Sequence, residues 1–312
     1  MQFRNLGFSG LKVSAIGLGT NQFGGKVDFK GAADIIAAAL DQGINFIDTS
    51  NSYQSGRSEE AIGKALKGRR QSVLIATKVR NQVGEGPNDA GASRVHILSE
   101  VENSLKRLGT DYIDLYQIHR WDPETPIVET LRTLNDLVRS GKVRYIGASN
   151  FDAWQLAWAN AVAEREGLTS FISIQPHYHI LERGIESELV PACRYFGIGV
   201  LPYFPLAGGF LTGKYCPGEP IPAGSRGEEN PYVQSYLTTA NFTRLQKLEA
   251  FAHKRGHTIN ELAHAWLLAQ PQISSVISGA THPDHVRANA AGVEWALSTV
   301  DLQEINSMLE SD

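Results

Sequence analysis

The chain has 312 residues and a formal net charge of −4, a balance too mild to imply nucleic acid or a polyanion as partner. Two cysteines, Cys193 and Cys216, are too few for a disulfide framework and lack metal-ligand spacing. No apolar run approaches the roughly 20 residues of a membrane span, and Met1 to Asn5 lacks the charged start of a signal peptide, so a reducing cytoplasm is the expected setting.

In chain order, residues 1–14 read as a small hairpin turning at Ser9-Gly10. Strand and helix signals then alternate. Ala15 to Leu18 is a short apolar run, and Lys30 to Gln42 carries helical periodicity with Gly43 as its stop. Ile44 to Ile47 reads as a strand ending on Asp48, with Tyr53 delivered by the polar turn that follows. A helix from Ser58 to Leu66 leads to the strand Leu74 to Thr77, which ends on Lys78. A helix from Ser93 to Leu108 leads to Ile113 to Ile118, which ends on His119.

The second half keeps this rhythm. A helix from Pro126 to Ser140 precedes the strand Val143 to Ala148, which leads to Ser149 and Asn150, and Asp152 caps the next helix. Phe171 to Ile174 leads to Gln175, a helix follows from Ile185 to Phe196, and Gly199 to Pro202 leads to Tyr203. A Gly- and Pro-rich insertion covers roughly 207–239. Two helical patterns split at Gly256, a strand at Ser275 to Ile277, a helix opened by Pro283 and a last helix from Asp301 with Thr299 as cap complete the chain.

Eight strand–helix units with right-handed crossovers close most economically into a (β/α)8 TIM barrel. That fold takes about 250 residues, so an N-terminal β-hairpin, one long loop and extra C-terminal helices account for the surplus. An open doubly wound sheet with a second domain is the alternative. No composition break or dinucleotide-type glycine fingerprint supports it, so residues 1–312 read as one barrel domain.

In this fold chemistry sits at the C-terminal ends of the strands, where the sequence places Asp48, Lys78 and His119, with Tyr53 close behind. Singly, these residues read as a turn cap, a snorkelling lysine, a structural histidine and a packing tyrosine. Jointly they read as a proton-transfer site. Lys78 would lower the pKa of Tyr53, Asp48 would compensate a buried Lys78, and His119 would donate to a substrate carbonyl oxygen. With no nucleophile elbow or metal cluster in the sequence, a hydride from a bound cofactor is the economical second half of the reaction.

The chain resembles the aldo-keto reductase superfamily over essentially its whole length, in its bacterial and potassium-channel-β-like branch. The resemblance lies in Gly17-Leu18-Gly19-Thr20, Asn45 to Ser50 with Tyr53, Ala76-Thr77-Lys78, Asp111 to Tyr116 with His119, Gly147 to Asn150, Gln175, and Pro205 to Tyr215. It implies NADPH-dependent reduction of aldehydes or ketones, with NADH as the alternative cofactor. It also implies a tetrad of Asp48, Tyr53, Lys78 and His119 with Tyr53 as general acid, and a hairpin that closes the barrel bottom.

By position, the resemblance implies that Gly19 and Thr20 border the cofactor and that Ser149, Asn150 and Gln175 hold its carboxamide. Tyr203 would stack under the nicotinamide. Backbone amides around Phe204, Leu206, Gly208, Leu211 and Gly213, with Lys214, would receive the pyrophosphate. The adenosine phosphate would meet Gly279, Thr281, His282, His285 and Asn289, with Arg287 close in sequence. The family often uses lysine or arginine there. Imidazoles titrating near ~6.5 imply an NADPH preference that shrinks as pH rises from about 6 to 8.

Asn21, Gln22, Phe23 and Trp121, with Tyr232 and Tyr236 from the insertion, are expected to line an aromatic-walled substrate pocket, and residues 207–239 to act as a cofactor lid. The expected partner is a small-molecule carbonyl compound, acted on by a monomer or weak homo-oligomer. The alternative is a nucleotide-binding regulatory subunit that serves a partner protein. A barrel isomerase of sugar phosphates, working without nicotinamide, is a third reading.

Overall fold

The structure is a computed structural model in which residues 1–310 are described. Strands β1 (Phe3–Asn5) and β2 (Lys12–Ser14) pair antiparallel, with Arg4 opposite Val13. Eight parallel strands follow: β3 (Ile16–Gly19), β4 (Phe46–Asp48), β5 (Leu74–Val79), β6 (Ile113–Ile118), β7 (Val143–Ser149), β8 (Ser173–Gln175), β9 (Gly199–Val200) and β10 (Val276–Gly279). Each pairs with its neighbour in sequence, and β10 returns to pair with β3. The seam between β9 and β10 closes through parallel bridges at Val200–Ile273 and Tyr203–Ile277, with Ile277 N donating to Pro202 O at 2.9 Å. The expected (β/α)8 barrel is what forms.

Helices α1 (Phe29–Asp41), α2 (Arg57–Ala65), α3 (Arg94–Leu108), α4 (Ile127–Arg139), α5 (Ala153–Glu166) and α6 (Leu189–Phe196) alternate with these strands. Local chemistry sets their ends. Asp28 accepts from Gly31 N at 2.7 Å to open α1, Gln155 returns a side-chain bond to Asp152 N at 2.8 Å to open α5, and Gly109 and Gly167 end α3 and α5 in left-handed backbone. The insertion holds two single-turn helices, α7 (Arg226–Glu229) and α8 (Pro231–Gln234). Then come α9 (Thr239–Lys254), α10 (Ile259–Leu268), α11 (Pro283–Ala291) and α12 (Thr299–Glu310). The last helix begins earlier than expected: Ser298, not Thr299, caps it, bonding Asp301 N at 3.2 Å while Asp301 bonds back to Ser298 N at 2.9 Å. Arg255 at the end of α9 pairs with Asp301 and Glu304 of α12, which ties the terminal helix down. Among the described residues no helix is long and apolar enough to cross a membrane.

Inside the barrel the two-residue period of the strands stacks side chains in layers. At the bottom Leu6, just after β1, and Val13 of β2 are wholly buried against Phe46, Ala76, Leu115, Leu201 and Ile277. Two residues further along three of those strands stand Asp48, Lys78 and Gln117, all buried. An apolar floor therefore carries a polar layer, and that layer faces the C-terminal mouth.

Candidate active site

Lys78 Nζ carries three protons and finds three acceptors: Asp48 Oδ2 at 2.6 Å, Thr49 O at 2.8 Å and the Tyr53 hydroxyl at 3.3 Å. Because Tyr53 Oη accepts from the ammonium, its own proton is free to point into the cavity. Asp48 Oδ1 accepts from Gln175 Nε2 at 2.8 Å and Gln117 Nε2 at 3.3 Å, so both carboxylate oxygens are held. Gln117 was not anticipated, although it follows from alternation: it stands two residues above Leu115 and level with Lys78.

Burial is the largest influence on Lys78 and opposes its charge, but the Asp48 carboxylate, aided by Tyr53, outweighs it and raises the ammonium's pKa. At Tyr53 burial is again the largest influence. It outweighs the lowering by Lys78, and Asp48 adds to it, so the phenol's pKa is raised. This corrects the expectation of an acidified tyrosine. The resting phenol is firmly protonated, and the ammonium 3.3 Å away is of use once negative charge develops on Oη.

His119 lies edge-on to Tyr53, ring centroids 5.9 Å apart. Burial, followed by the positive charges of Lys78, Arg120 and Arg80, lowers its pKa to about 2, so the ring is neutral. Its Nδ1 faces Asn81 Nδ2 at 3.0 Å and Ser50 Oγ at 3.3 Å. An amide NH2 only donates, so Nδ1 accepts and the ring's single proton sits on Nε2. Sequence reasoning passed over Asn81. It stands in the polar segment just beyond β5, and no pattern marks it.

One cavity of about 1050 Å³ opens over this layer, at the top of the size range of ligand pockets. Asp48, Tyr53 and His119 line it, as do Gly19, Thr20 and Asn21 at the end of β3 and Ser149, Asn150 and Gln175 at the ends of β7 and β8. Tyr203, Phe204, Leu206, Gly208 and Lys214, which follow β9, line it as well. Gly279 and Thr281, at and just after the end of β10, and His285 and Asn289 of α11 line it too. Residues 222–226 of the insertion border the cavity too, and Lys26 Nζ donates to Gly224 O across it. The insertion thus forms a roof, which adds Lys26 and Arg226 to the lining.

The details correct several expectations. Asn150 spends both amide protons on protein, donating to His119 O at 2.9 Å and Ser149 Oγ at 3.0 Å, and its Oδ1 accepts from Tyr203 Oη at 2.9 Å. With Ser149 Oγ on Gln175 O and one Gln175 amide proton on Asp48, these three side chains brace the polar layer, and Gln175 keeps an amide proton and its Oε1 for a carboxamide. Leu211 and Gly213 do not offer amides to a phosphate, because theirs bond to Leu206 O at 3.1 Å and Phe210 O at 3.3 Å inside the turn. The amides of Phe204 and Leu206 have no acceptor among the described residues. Gly208 and Gly209, with φ of 66° and 107°, hold the turn in backbone that L residues rarely adopt.

Phe23 does not line the cavity. It is fully buried in the core, and Trp121 packs edge-on against Phe151 with centroids 5.2 Å apart. Tyr232 and Tyr236 also stand off the lining. The Tyr232 hydroxyl bonds the His177 ring and, at 2.7 Å, the Tyr236 hydroxyl, which reaches His179 Nε2 at 3.2 Å, pinning the insertion to the segment after β8. His282 lies off the cavity too, bonding Asp284 N at the head of α11, and Arg287 is paired to Asp284. The pKa of His285 is lowered by burial, then by His282 and Lys214, so its titration window moves to the acid side of its ordinary value. Lys214 is thus close enough for its charge to be felt at His285.

These residues fit a dinucleotide: unbonded amides and a cation at a glycine turn, an aromatic face at Tyr203, and a proton-donor layer at one end. The sequence model of the Aldo/keto reductase family matches residues 15–310. A probable voltage-gated potassium channel subunit beta from Arabidopsis thaliana is 38% identical over 100% of this chain and 97% of its own. Aldo-keto reductase YhdN of Bacillus subtilis is 38% identical over 100% and 94%, and versiconal hemiacetal acetate reductase of Aspergillus parasiticus is 33% identical over 97% and 95%. The chain belongs to the aldo/keto reductase family.

Proposed function

We propose that the protein reduces aldehydes or ketones to alcohols with NADPH, NADH being the alternative donor, and that Tyr53 is the general acid. The observation that carries this reading is the three-acceptor arrangement at Lys78, which turns the phenol proton toward the cavity. The bound dinucleotide would supply hydride to the carbonyl carbon. His119 Nε2–H and Tyr53 Oη–H orient and polarise the carbonyl oxygen. As charge builds there Tyr53 releases its proton, and the Lys78 ammonium stabilises the phenolate. Asp48 keeps Lys78 charged in a fully buried position. Phe204, Leu206, Gly208 and Lys214 would cradle the pyrophosphate, and Lys214, Thr281 and Asn289 would meet the adenosine phosphate.

Replacing Tyr53 with Phe removes the donor and little else. It should lower kcat by at least ~100-fold, the lower end of what a general acid contributes, while dinucleotide affinity measured by fluorescence stays within about twofold. Retained turnover would reassign the acid. The channel-subunit relative supports a second reading, a nucleotide-binding regulatory subunit of a partner protein. Oxidation of NADPH in the presence of 4-nitrobenzaldehyde separates the two, since the regulatory reading expects little or none.

A further inference from the structure

We propose that the substrate is an aldehyde or ketone bearing a carboxylate, held by the Arg120 guanidinium at the mouth of the cavity while its carbonyl meets Tyr53 and His119. The carbonyl half of this inference rests on the reductase reading above. The anion half rests on separate observations.

Arg120 follows His119 directly and lines the same cavity as Tyr53. Its charge is felt at both His119 and Tyr203. Among the described residues it makes no ion pair, hydrogen bond or ring contact, and other cations of the lining are engaged. Lys26 bonds Gly224 O, while Arg226 reaches Asn21 Oδ1 at 3.4 Å and lies over the Phe204 ring. Of the lining carboxylates, Asp48 is spent on Lys78, and Glu229 on the roof forms no ion pair with Arg120. Arg120 is therefore the lining guanidinium with no hydrogen bond, ion pair or ring contact of its own, and it adjoins His119 in the chain.

The walls point the same way. With Phe23 in the core and Trp121 against Phe151, neither lines the cavity, whereas Asn21, Gln22, Asn150 and Arg120 do, which suits a polar molecule better than the planar apolar one expected from sequence. A single guanidinium fork matches a planar monoanion, with two parallel N–H donors to two oxygens. On the reductase reading the cofactor's phosphates would have the amides of Phe204 and Leu206 and the Lys214 ammonium as donors and would not call on Arg120.

Arg120 is exposed, so solvent screening limits the effect to about tenfold. The test compares kcat/KM for 4-carboxybenzaldehyde with that for its neutral methyl ester, methyl 4-formylbenzoate, in the wild type and in R120Q. The ratio should be about ten in the wild type at low salt. It should fall toward one in R120Q, and toward one in the wild type at about 0.5 M salt. A wild-type ratio near one, or a ratio unchanged in R120Q, overturns the proposal. Should neither aldehyde be reduced, the reductase reading fails, and benzoate titrated calorimetrically into both proteins still tests the anion site. Binding about tenfold weaker in R120Q supports it, and equal affinity overturns it.

Discussion

Replacing Asp48 with Asn isolates the ion pair at the centre of the buried polar layer. The side chain keeps its shape and an oxygen for the Gln175 amide, but Lys78 loses its counter-charge while remaining wholly buried. At the observed 2.6 Å separation, unit charges attract by ~6 kcal/mol at an effective dielectric near 20. Desolvation of both groups offsets part of this, so the cost of leaving Lys78 unpaired should be about 3–5 kcal/mol. That is a large fraction of a stability of about 5–15 kcal/mol. Urea unfolding of the wild type, D48N, K78M and D48N/K78M measures it. D48N should lose about 3 kcal/mol or more, and the double variant should recover most of that, because no buried charge remains. A D48N midpoint within error of the wild type, or a double variant as unstable as D48N, would refute the reasoning.

Replacing Asn81 with Asp sets an acceptor against His119 Nδ1, drawing the ring proton from Nε2. Nitrogen-15 shifts of His119 should report the change of tautomer, and kcat/KM should fall by about tenfold or more; an Nδ1–H tautomer already present in the wild type would contradict the assignment. The NADPH-to-NADH specificity ratio should stay level from pH 6 to 8 and drop severalfold in K214Q, because Lys214 rather than an imidazole would supply the charge; kinetics with both cofactors check this. His119, His179 and His264 have pKa values lowered to about 2, 3 and 4, in each case first by burial. Unfolded histidines bind protons below about pH 6.5 while these do not, so stability is full above that pH and falls beneath it by up to ~1.4 kcal/mol per pH unit for each. Thermal melts should show the decline beginning near pH 6.5, above the carboxylate range. Gly63 on α2 has no room for a methyl group, since a Cβ would stand 2.6 Å from Arg107 O, so G63A should cost about 1–3 kcal/mol by denaturation.

Much of this protein is fixed by local sequence. The alternation of strands and helices, the hairpin, the glycine stops and the Asp152 cap are all local patterns, and eight parallel units leave few ways to close. The two-residue period then puts Asp48 above Phe46 and Lys78 above Ala76, which is why an acid and an amine far apart in the chain could be read as partners. Other features depend on packing across the barrel. Asn81 and Arg120 gain their positions from the elements around them, and no spacing in the chain marks them out. Phe23 and Trp121 look like pocket walls from their place after a strand, yet each finds a better apolar contact elsewhere. The protonation states were beyond the sequence too, because burial, a property of the whole fold, outweighs the neighbouring charge at Tyr53 and removes it from His119. Residue order determined which groups reach the mouth, and the packed barrel decided which of them face it and in what charge state.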